Sequence, residues 1–396
     1  MACSKRMIVF FTLAALAAAT AFGGARAQEL QINSKSAILI DYHTGRILYE
    51  KNAREALPPA SVTKIMTLIL VLEAVRDGRA SLDDIVVTSD RAARMGGTQI
   101  WLEPGERMPL KDMLYAVAVG SANDAAFALA EHIAGSEPAF VEMMNQKARE
   151  LGMTASHFAT PSGLPPQSVG KNEPHVMSAY DIAIMSRYAL GLPMFLDLVS
   201  TWGPVTMRPE TIQQPVLWNY NRLMNSYPGM DGIKTGMTAE AGYCLSATAV
   251  RDGLRLIAVT LGARTAQERD ADITRLLNYG FSRLKAVEVV KEGDSVAEVE
   301  VTKARDPFIP LVAGAHLTVS MERGVDLVPE TELVLTRPIV APMPAGEEVG
   351  YLVATLEGQE VGRVPVLTSR PIEKASVLQM IGRYFLKLVG AERQAS

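Results

Sequence analysis

A serine and a lysine three residues apart form the first pair in this sequence that could do chemistry. If Ser61 and Lys64 lie on a helix, they share a face, and the lysine amine can reach the serine hydroxyl. The neighbouring residues are apolar, so the pKa of the amine should fall and make it a base. The pair therefore predicts a nucleophilic serine, although the S-x-x-K pattern is weak alone. The chain holds two further matches, Ser168 with Lys171 and Ser282 with Lys285.

Two more short motifs follow along the chain. Ser121-Ala122-Asn123 is its only S-x-N, and the hydroxyl and amide could relay a proton and hold a substrate. Lys234-Thr235-Gly236 is its only K-T-G; its cation and hydroxyl could bind an anionic end group, and its glycine would let a peptide lie along the strand. Taken singly, the first motif also fits a helix cap and the second an ordinary turn.

The three motifs occur in the order found in penicillin-binding proteins and class A β-lactamases. Residues 37–281 resemble more closely the low-molecular-mass D-alanyl-D-alanine carboxypeptidases, the S11 peptidase family. The supporting stretches are residues 60–67, 97–105 and 162–164, together with His175 and residues 178–181.

The resemblance implies the members of a catalytic group. Ser61 would be the acylated nucleophile and Lys64 its general base, while Ser121 and Asn123 would complete the proton network. Ala122 departs from the family pattern, because a glycine is expected at the middle of this motif.

The same resemblance implies how the substrate is held. Lys234-Thr235-Gly236 and Arg269 would bind the terminal carboxylate of a peptide, and the backbone N–H groups of Ser61 and Met237 would form the oxyanion hole. Met237 is a second departure, because a histidine is familiar at that position. Since it would act through its backbone, we expect the change to affect specificity rather than chemistry. The resemblance implies no metal and no cofactor.

The implied function is that of a serine-type D-Ala-D-Ala carboxypeptidase. Such an enzyme removes the terminal D-alanine from peptidoglycan stem pentapeptides through an acyl-serine, and β-lactams inhibit it by acylating the same serine. Three alternatives stay open: a D,D-endopeptidase that cuts cross-links, a class A-like β-lactamase, and a catalytically silent wall-binding or scaffold protein. Against the β-lactamase, no E-x-x-x-N occurs between Asn123 and Lys234, where Glu142 and Asn145 are one residue too close.

The elements that must position these residues predict an α+β fold with an antiparallel sheet flanked by helices. Strands at both ends of the first unit suggest that one sheet unites them. Short Val-rich strands from about residue 286 predict a second, all-β domain. Periodicity and turn residues predict a hairpin over 37–50, helices over 61–75, 110–119, 123–134, 138–151 and 178–190, strands over 231–236, 242–250 and 254–262, and a helix over 265–284.

The predicted order of segments is a signal peptide over 1–27, a D,D-peptidase domain over 28–285, an all-β domain over 286–372 and an amphipathic helix over 373–396. That helix is too short and too charged to span a bilayer, so we expect it to lie on the membrane surface. Packing on its own domain or in a dimer is the alternative. Its apolar positions are Val377, Leu378, Ile381, Tyr384, Phe385, Leu388 and Val389, opposite Arg383 and Lys387.

Composition limits the class of protein further. The chain has 396 residues, enough for two or three domains, and its net charge of −4 excludes a generally basic nucleic-acid binder. Two cysteines, Cys3 and Cys244, exclude a disulfide-stapled scaffold and a multi-cysteine metal site. Lys5 and Arg6 precede an apolar run and a cleavage site after Ala27, so we expect export to the periplasmic face of a bacterial inner membrane. An uncut membrane anchor is the alternative.

Overall fold

The computed structural model describes residues 30–208, 210, 214–301, 303–325 and 327–381. The predicted signal peptide and the predicted C-terminal helix from residue 382 onward lie outside the described residues.

The helices and strands are taken in chain order. The α-helices are α1 (Lys64–Arg76), α2 (Asp90–Ala93), α3 (Leu110–Ala118), α4 (Asn123–Ala134), α5 (Glu137–Glu150), α6 (Ala179–Leu190), α7 (Phe195–Ser200), α8 (Leu223–Ser226) and α9 (Ala266–Arg283). The strands are β1 (Ser36–Asp41), β2 (Ile47–Lys51), β3 (Ile85–Val87), β4 (Arg107–Pro109), β5 (Val205–Thr206), β6 (Val216–Leu217), β7 (Met230–Thr238), β8 (Gly242–Arg251), β9 (Leu254–Ala263), β10 (Leu284–Val290), β11 (Ser295–Glu300), β12 (Phe308–Ala313), β13 (Leu317–Glu322), β14 (Glu330–Leu335), β15 (Glu348–Leu356) and β16 (Gln359–Thr368). Short 3₁₀ turns span Ala60–Thr63 and Pro166–Val169.

The principal sheet joins the first strands of the chain to those that follow the helical region. Its order is β2-β1-β9-β8-β7, and every neighbouring pair is antiparallel. The predicted union of early and late strands in one sheet is therefore observed. Strand β7, which carries the K-T-G motif, lies at an edge of this sheet and has one side open to a further strand.

Both faces of the principal sheet are covered, so β1 is buried along its whole length. Leu39 turns to one face, where Gly280 of α9 lies so close that a Cβ there would meet Leu39 Cδ2 at 3.0 Å. Ile38 and Ile40 turn to the other face and join the core around α1. This double burial explains why β1 has a continuous apolar sequence instead of an alternating one.

Helix α1 runs through the centre of the core, with every residue from Lys64 to Ala74 buried. The predicted start of this helix at residue 61 is wrong, because Ala60–Thr63 forms a 3₁₀ turn and the α-helix begins at Lys64. Ala60 has a left-handed backbone, with φ 50°, just before the nucleophile. Three residues per turn in a 3₁₀-helix bring Lys64 beside Ser61, so the predicted contact survives the change.

The chain from β10 to β16 is built of strands and, with the residues up to 376, is called the β region below. Strands β11-β12-β16-β15-β14 form one antiparallel sheet, and β10 pairs with β13. Strand β10 begins at Leu284, directly after α9, so the change to strand structure comes earlier than residue 286. The sequence pattern does not single out β12, because Pro310 lies inside it. The ladder of β12 with β16 begins only after that proline, at Leu311.

Candidate active site

The amine of Lys64 is the centre of the candidate site. It is completely buried, and its Nζ lies 3.0 Å from Ser61 Oγ. The same nitrogen lies 2.6 Å from Asn123 Oδ1 and 2.7 Å from the carbonyl oxygen of Ser162. The structure therefore brings the S-x-x-K and S-x-N motifs together around one amine, and adds a third oxygen from a distant loop.

The surroundings of this amine favour its neutral form. Burial lowers the pKa of Lys64 well below its usual range; the positive charge of Lys234 lowers it further, and Asp124 opposes the change. A neutral amine has two N–H donors and one lone pair. With the N–H groups directed to Asn123 Oδ1 and the Ser162 carbonyl, the lone pair remains for the proton of the Ser61 hydroxyl. The geometry therefore suits a serine activated by a lysine base.

Strand β7 passes directly beside the turn that carries Ser61. A Cβ on Gly236 would lie 2.7 Å from the carbonyl oxygen of Pro59 and 3.1 Å from the backbone nitrogen of Ser61. Only glycine allows an approach this close. The next residue, Met237, has a side chain that is 58% exposed. The backbone nitrogen of Ser61 therefore lies against the strand segment that carries Met237.

The S-x-N motif connects α3 to α4. Ser121 has a left-handed backbone, with φ 56°, and Asn123 is the first residue of α4. The Asn123 side chain donates to the carbonyl of Gly96 at 2.8 Å, and its oxygen faces Lys64. Ala122 has φ −62° and ψ 123°, a conformation that alanine adopts freely. Its departure from glycine therefore has no conformational cost.

Two buried cationic side chains, Lys234 and Arg269, lie at the K-T-G strand. Lys234 and Thr235 are buried, as is Arg269 on α9. Burial, followed by the positive charge of Arg269, lowers the pKa of Lys234 to about 7. Arg269 also forms an ion pair of 2.8 Å with Asp270. Because two buried positive charges repel each other, an anionic group between them would be favoured.

Comparison with known proteins identifies the family. A family model described as D-alanyl-D-alanine carboxypeptidase, Peptidase S11, matches residues 24–265, and one for the C-terminal domain of penicillin-binding protein 5 matches residues 285–374. The D-alanyl-D-alanine carboxypeptidase DacF of Bacillus subtilis (strain 168) is 41% identical over 361 residues, which are 91% of each chain.

The chain belongs to the S11 family of D-alanyl-D-alanine carboxypeptidases.

Solved structures agree with this membership. A Streptococcus pneumoniae structure, described as a peptidoglycan synthesis regulatory factor (PBP3), has a TM-score of 0.71 and 29% identity, covering 87% of this chain and all of that one. Penicillin-binding protein D2 from Listeria monocytogenes in its ampicillin-bound form has a TM-score of 0.56 and 32% identity, covering 64% of this chain and 99% of that one. The predicted family, enzyme class and mixed fold with a C-terminal β domain are confirmed.

In this S11 peptidase, a loop far along the chain closes the third side of the site. Its Ser162 supplies the carbonyl that faces Lys64, and its Gly163 has φ 79°. A Cβ on Gly163 would lie 1.9 Å from the carbonyl oxygen of Ala60, so the loop and the 3₁₀ turn are in backbone contact. The sequence offers residues 162–164 as part of the family resemblance, but it does not predict this contact.

His175 connects that loop to the S-x-x-K turn through hydrogen bonds. Its Nδ1 accepts hydrogen bonds from the backbone N–H groups of Ala159 at 3.0 Å and Thr160 at 3.2 Å, and its Nε2 lies 2.8 Å from Thr63 Oγ1. Burial, with smaller contributions from nearby positive charges, lowers the pKa of His175 to about 3. The neutral ring therefore accepts at one nitrogen and donates to Thr63 from the other. His175 anchors a loop and is not arranged as a metal ligand.

Lys171 also holds this loop in place. It stands in an S-x-x-K match, but its amine binds structural partners and not a serine hydroxyl. Its Nζ lies 2.6 Å from Glu137 Oε1 and 2.6 Å from the carbonyl oxygen of Ala159. Glu137 is buried at the start of α5 and also pairs with Arg91 at 3.0 Å. The neighbouring Ser168 donates to a backbone carbonyl instead. A buried ion pair thus ties the loop to α5, which no local sequence pattern indicates.

Replacing Gly163 by alanine should slow acylation of the serine. The new Cβ would force the Ala60 carbonyl away, and a misplacement of about 1 Å at a reacting group costs about 100-fold in rate. We expect the second-order rate constant for acylation by penicillin to fall by about 100-fold. Gly170→Ala is the matched control, because Gly170 has φ 77° and open space around it. Equal rates for the two variants would contradict the contact.

The pH dependence of catalysis should report the charge of Lys234. A carboxylate needs this amine protonated, so kcat/KM should fall as the pH rises above about 7. Arg269→Gln removes a neighbouring positive charge, which should raise the pKa of Lys234 and move this alkaline limb to higher pH, while the maximum kcat/KM falls. Arg264→Gln, at an exposed position just before α9, is the control and should leave the limb in place. If kcat/KM falls at the same pH in Arg269→Gln as in the wild type, the alkaline limb belongs to a group other than Lys234.

Proposed function

We propose that the protein removes the terminal D-alanine of peptidoglycan stem pentapeptides through an acyl-enzyme on Ser61. The observation that carries this proposal is the buried amine of Lys64, 3.0 Å from Ser61 Oγ, in surroundings that favour its neutral form. No other residues are needed to make the hydroxyl nucleophilic, because the base touches it directly.

Acylation begins when Ser61 Oγ attacks the carbonyl carbon of the penultimate D-alanine. A C–O bond forms, the hydroxyl proton passes to Lys64 Nζ, and the carbonyl oxygen becomes an oxyanion. The backbone N–H groups of Ser61 and Met237 receive that oxyanion. The close approach of Gly236 to the Ser61 nitrogen supports this pairing, since it brings the two backbone segments side by side.

Collapse of the intermediate breaks the C–N bond and releases D-alanine. The leaving nitrogen takes a proton that originates at Lys64 and passes through the Ser121 hydroxyl, whose residue is buried next to Asn123. Water then attacks the ester, Lys64 accepts its proton, and Ser61 recovers its own when the C–O bond breaks. Atoms and charges balance without a cofactor.

The groups proposed to bind the end of the peptide favour a carboxypeptidase over an endopeptidase. Lys234, Thr235 and Arg269 are buried together, and the first and last of them are positively charged groups in a site that excludes water. A free terminal carboxylate neutralises this charge. A cross-link has an uncharged amide at the same place, so Arg269 keeps only Asp270 as a counter-ion and Lys234 gains none.

The same serine is proposed to react with β-lactams and to release them slowly. A class A-like β-lactamase uses a glutamate to activate the hydrolytic water. Here the Glu142 side chain is 72% exposed and pairs with Arg149. The side-chain oxygen of Asn145 accepts a hydrogen bond from the backbone N–H of Phe158. The Asp124 carboxylate accepts backbone N–H groups, including that of Leu102 at 3.0 Å. These two carboxylates are committed to other contacts, so within the described residues neither replaces the class A glutamate as a base for the water that would release a β-lactam.

Mass analysis of the intact protein after penicillin treatment tests the nucleophile. We expect one long-lived adduct located on Ser61, with Ser61→Ala unlabelled and Ser168→Ala labelled like the wild type. Ser168 is the matched control because it stands at the first position of another S-x-x-K match. Rapid loss of the adduct with turnover of a chromogenic cephalosporin would favour the β-lactamase, and an unlabelled wild type would favour a scaffold. Faster cleavage of a cross-linked dimer than of a pentapeptide would favour the endopeptidase.

We also propose that the protein is exported, cut after Ala27 and held at the periplasmic face of the inner membrane by its C-terminal helix. Residues 286–372 hold seven basic and fourteen acidic side chains, whereas residues 373–396 hold four basic and two acidic ones. An anionic lipid surface would therefore repel the former and attract the latter. In the described part of the chain, no helix has the length and apolar character needed to cross a bilayer.

The described start of the C-terminal segment supports this anchor. Residues 377–381 are helical, and Val377 and Leu378 are 66% and 82% exposed. The residues just before them belong to the β region, because the backbone N–H of Ala375 donates to the carbonyl of Lys303 at 2.8 Å. The anchor is therefore best separated from the β region after residue 376.

Deleting residues 377–396 should release the protein from membranes without loss of activity. The full chain should sediment with vesicles that contain anionic lipid and bind less to neutral vesicles, since both apolar contact and charge contribute. The truncated chain should stay soluble and react with penicillin at the wild-type rate. Loss of penicillin binding through unfolding would favour packing of the segment on its own domain, whereas a truncated protein that still sediments would assign the membrane contact to another segment.

A further inference from the structure

A cleft of about 820 Å³ lies apart from the catalytic group. It is bounded by the turn between β1 and β2, by α6, and by strands β13 and β16 of the β region. None of the candidate site residues lines it. Its volume falls within the range of about 300–1,000 Å³ that is usual for ligand pockets. The cleft is therefore large enough to hold more than a single charged group.

The charged side chains that line this cleft are arginines. Arg76, Arg187 and Arg363 contribute to it, and no Asp or Glu stands among its lining residues in the described chain. Arg76 pairs with Asp77 and Glu73, and Arg363 pairs with Glu360, so carboxylates just outside the lining already balance these two arginines. Arg187 makes no ion pair with any carboxylate that the structure describes. The β region is acidic overall, yet the charged residue that it contributes to the cleft is an arginine, Arg363.

Arg187 is held in position by backbone carbonyls. Its Nε donates to the carbonyl of Tyr42 at 2.6 Å and its Nη2 to that of His43 at 2.7 Å. Gly45, with φ 75°, makes room for it, because a Cβ there would lie 3.1 Å from Arg187 Nη1. These two bonds fix the plane of the guanidinium and use only part of its five N–H donors. A pre-oriented guanidinium without a carboxylate partner is suited to bind one from a ligand.

Aromatic side chains complete the lining. Tyr42, Tyr180 and Tyr188 reach the cleft with their apolar rings, while the Tyr188 hydroxyl already donates to Glu73. Arg54 already lies over the ring of Tyr180 at 3.9 Å. Sugar rings present apolar C–H faces, so tyrosine rings can pack against them. Arginine and tyrosine together indicate a ligand that carries both carboxylates and sugar rings.

We propose that this cleft binds a carboxylate-bearing disaccharide-peptide segment of peptidoglycan, away from the bond that is cut. The inference rests on the proposed function, which makes this polymer the substrate. The catalytic group takes only the end of a stem peptide, whereas the cleft would hold another part of the wall. Holding the polymer at a second place raises the effective concentration of stem ends near Ser61. The β region contributes to this by forming one wall of the cleft.

Calorimetric titration of the full chain with soluble disaccharide-tetrapeptide tests the proposal. The protein is first acylated with penicillin, so that Ser61 is blocked and binding elsewhere is measured separately from D-alanine release. We expect saturable binding at one site per chain. Arg187→Gln and Arg363→Gln should each weaken it by about tenfold or more, because each removes a charge-assisted hydrogen bond. Methyl esterification of the fragment's carboxylates should weaken it comparably.

Arg370→Gln is the matched control, since this exposed arginine of the β region pairs with Asp306 and does not line the cleft. It should bind the fragment as the wild type does. Arg363→Gln leaves the turn at Tyr42 untouched, so it keeps the test valid if Arg187→Gln disturbs that turn. The proposal is overturned if the acylated protein does not bind, if the ester binds equally well, or if binding survives Arg363→Gln. Failure of D-alanine release from a sugar-free pentapeptide would instead contradict the proposed function.

Discussion

The proposed catalysis depends on one lysine amine that is kept out of water. Its nitrogen lies among three oxygens, and each comes from a different segment: Ser61 from a 3₁₀ turn, Asn123 from the start of α4, and Ser162 from a loop. Burying a charged amine costs several kcal/mol, so the fold favours the neutral form, which can accept a proton. The surrounding structure serves mainly to hold these three segments around Lys64.

Holding them requires strained backbone that the rest of the fold must stabilise. Ala60 and Ser121 both have left-handed φ values, which cost about 1–3 kcal/mol each for a residue other than glycine. Close contact with Gly163 fixes the first. His175 adds a polar link that works only while its ring is neutral, because a protonated Nδ1 could not accept from the backbone. Its strongly lowered pKa keeps that link intact at neutral pH.

The sequence predicts the parts of the site whose chemistry is local. Ser61 and Lys64 are three residues apart, and α4 begins at Asn123 as its apolar periodicity indicates. Contacts between distant segments leave no such signal. Lys171 matches a catalytic spacing but bonds to Glu137 of another helix. The arginine-lined cleft likewise arises from segments far apart in the chain, which only the folded structure brings together.

The sequence misses strand β12 for a comparable reason. Pro310 lowers the strand signal of β12, yet the proline precedes the ladder with β16 and so removes no hydrogen bond from it. The 3₁₀ turn at Ser61 depends on the backbone of Ala60, which in turn depends on a glycine about one hundred residues away. Local propensity describes the helices and strands well, and tertiary contacts decide the turns between them.

The two lysines of the site couple substrate binding to the strength of the base. Burial lowers the pKa of both lysines; the charge of Lys234 lowers the pKa of Lys64 further, and the charge of Arg269 does the same to Lys234. In the proposed mechanism, a terminal carboxylate bound between Lys234 and Arg269 offsets both charges, so it raises the proton affinity of Lys64. The amine is then neutral in the empty enzyme and a stronger base once a free peptide end is bound. An internal amide cannot do this, so recognition of the carboxylate acts on the reaction itself and not on affinity alone.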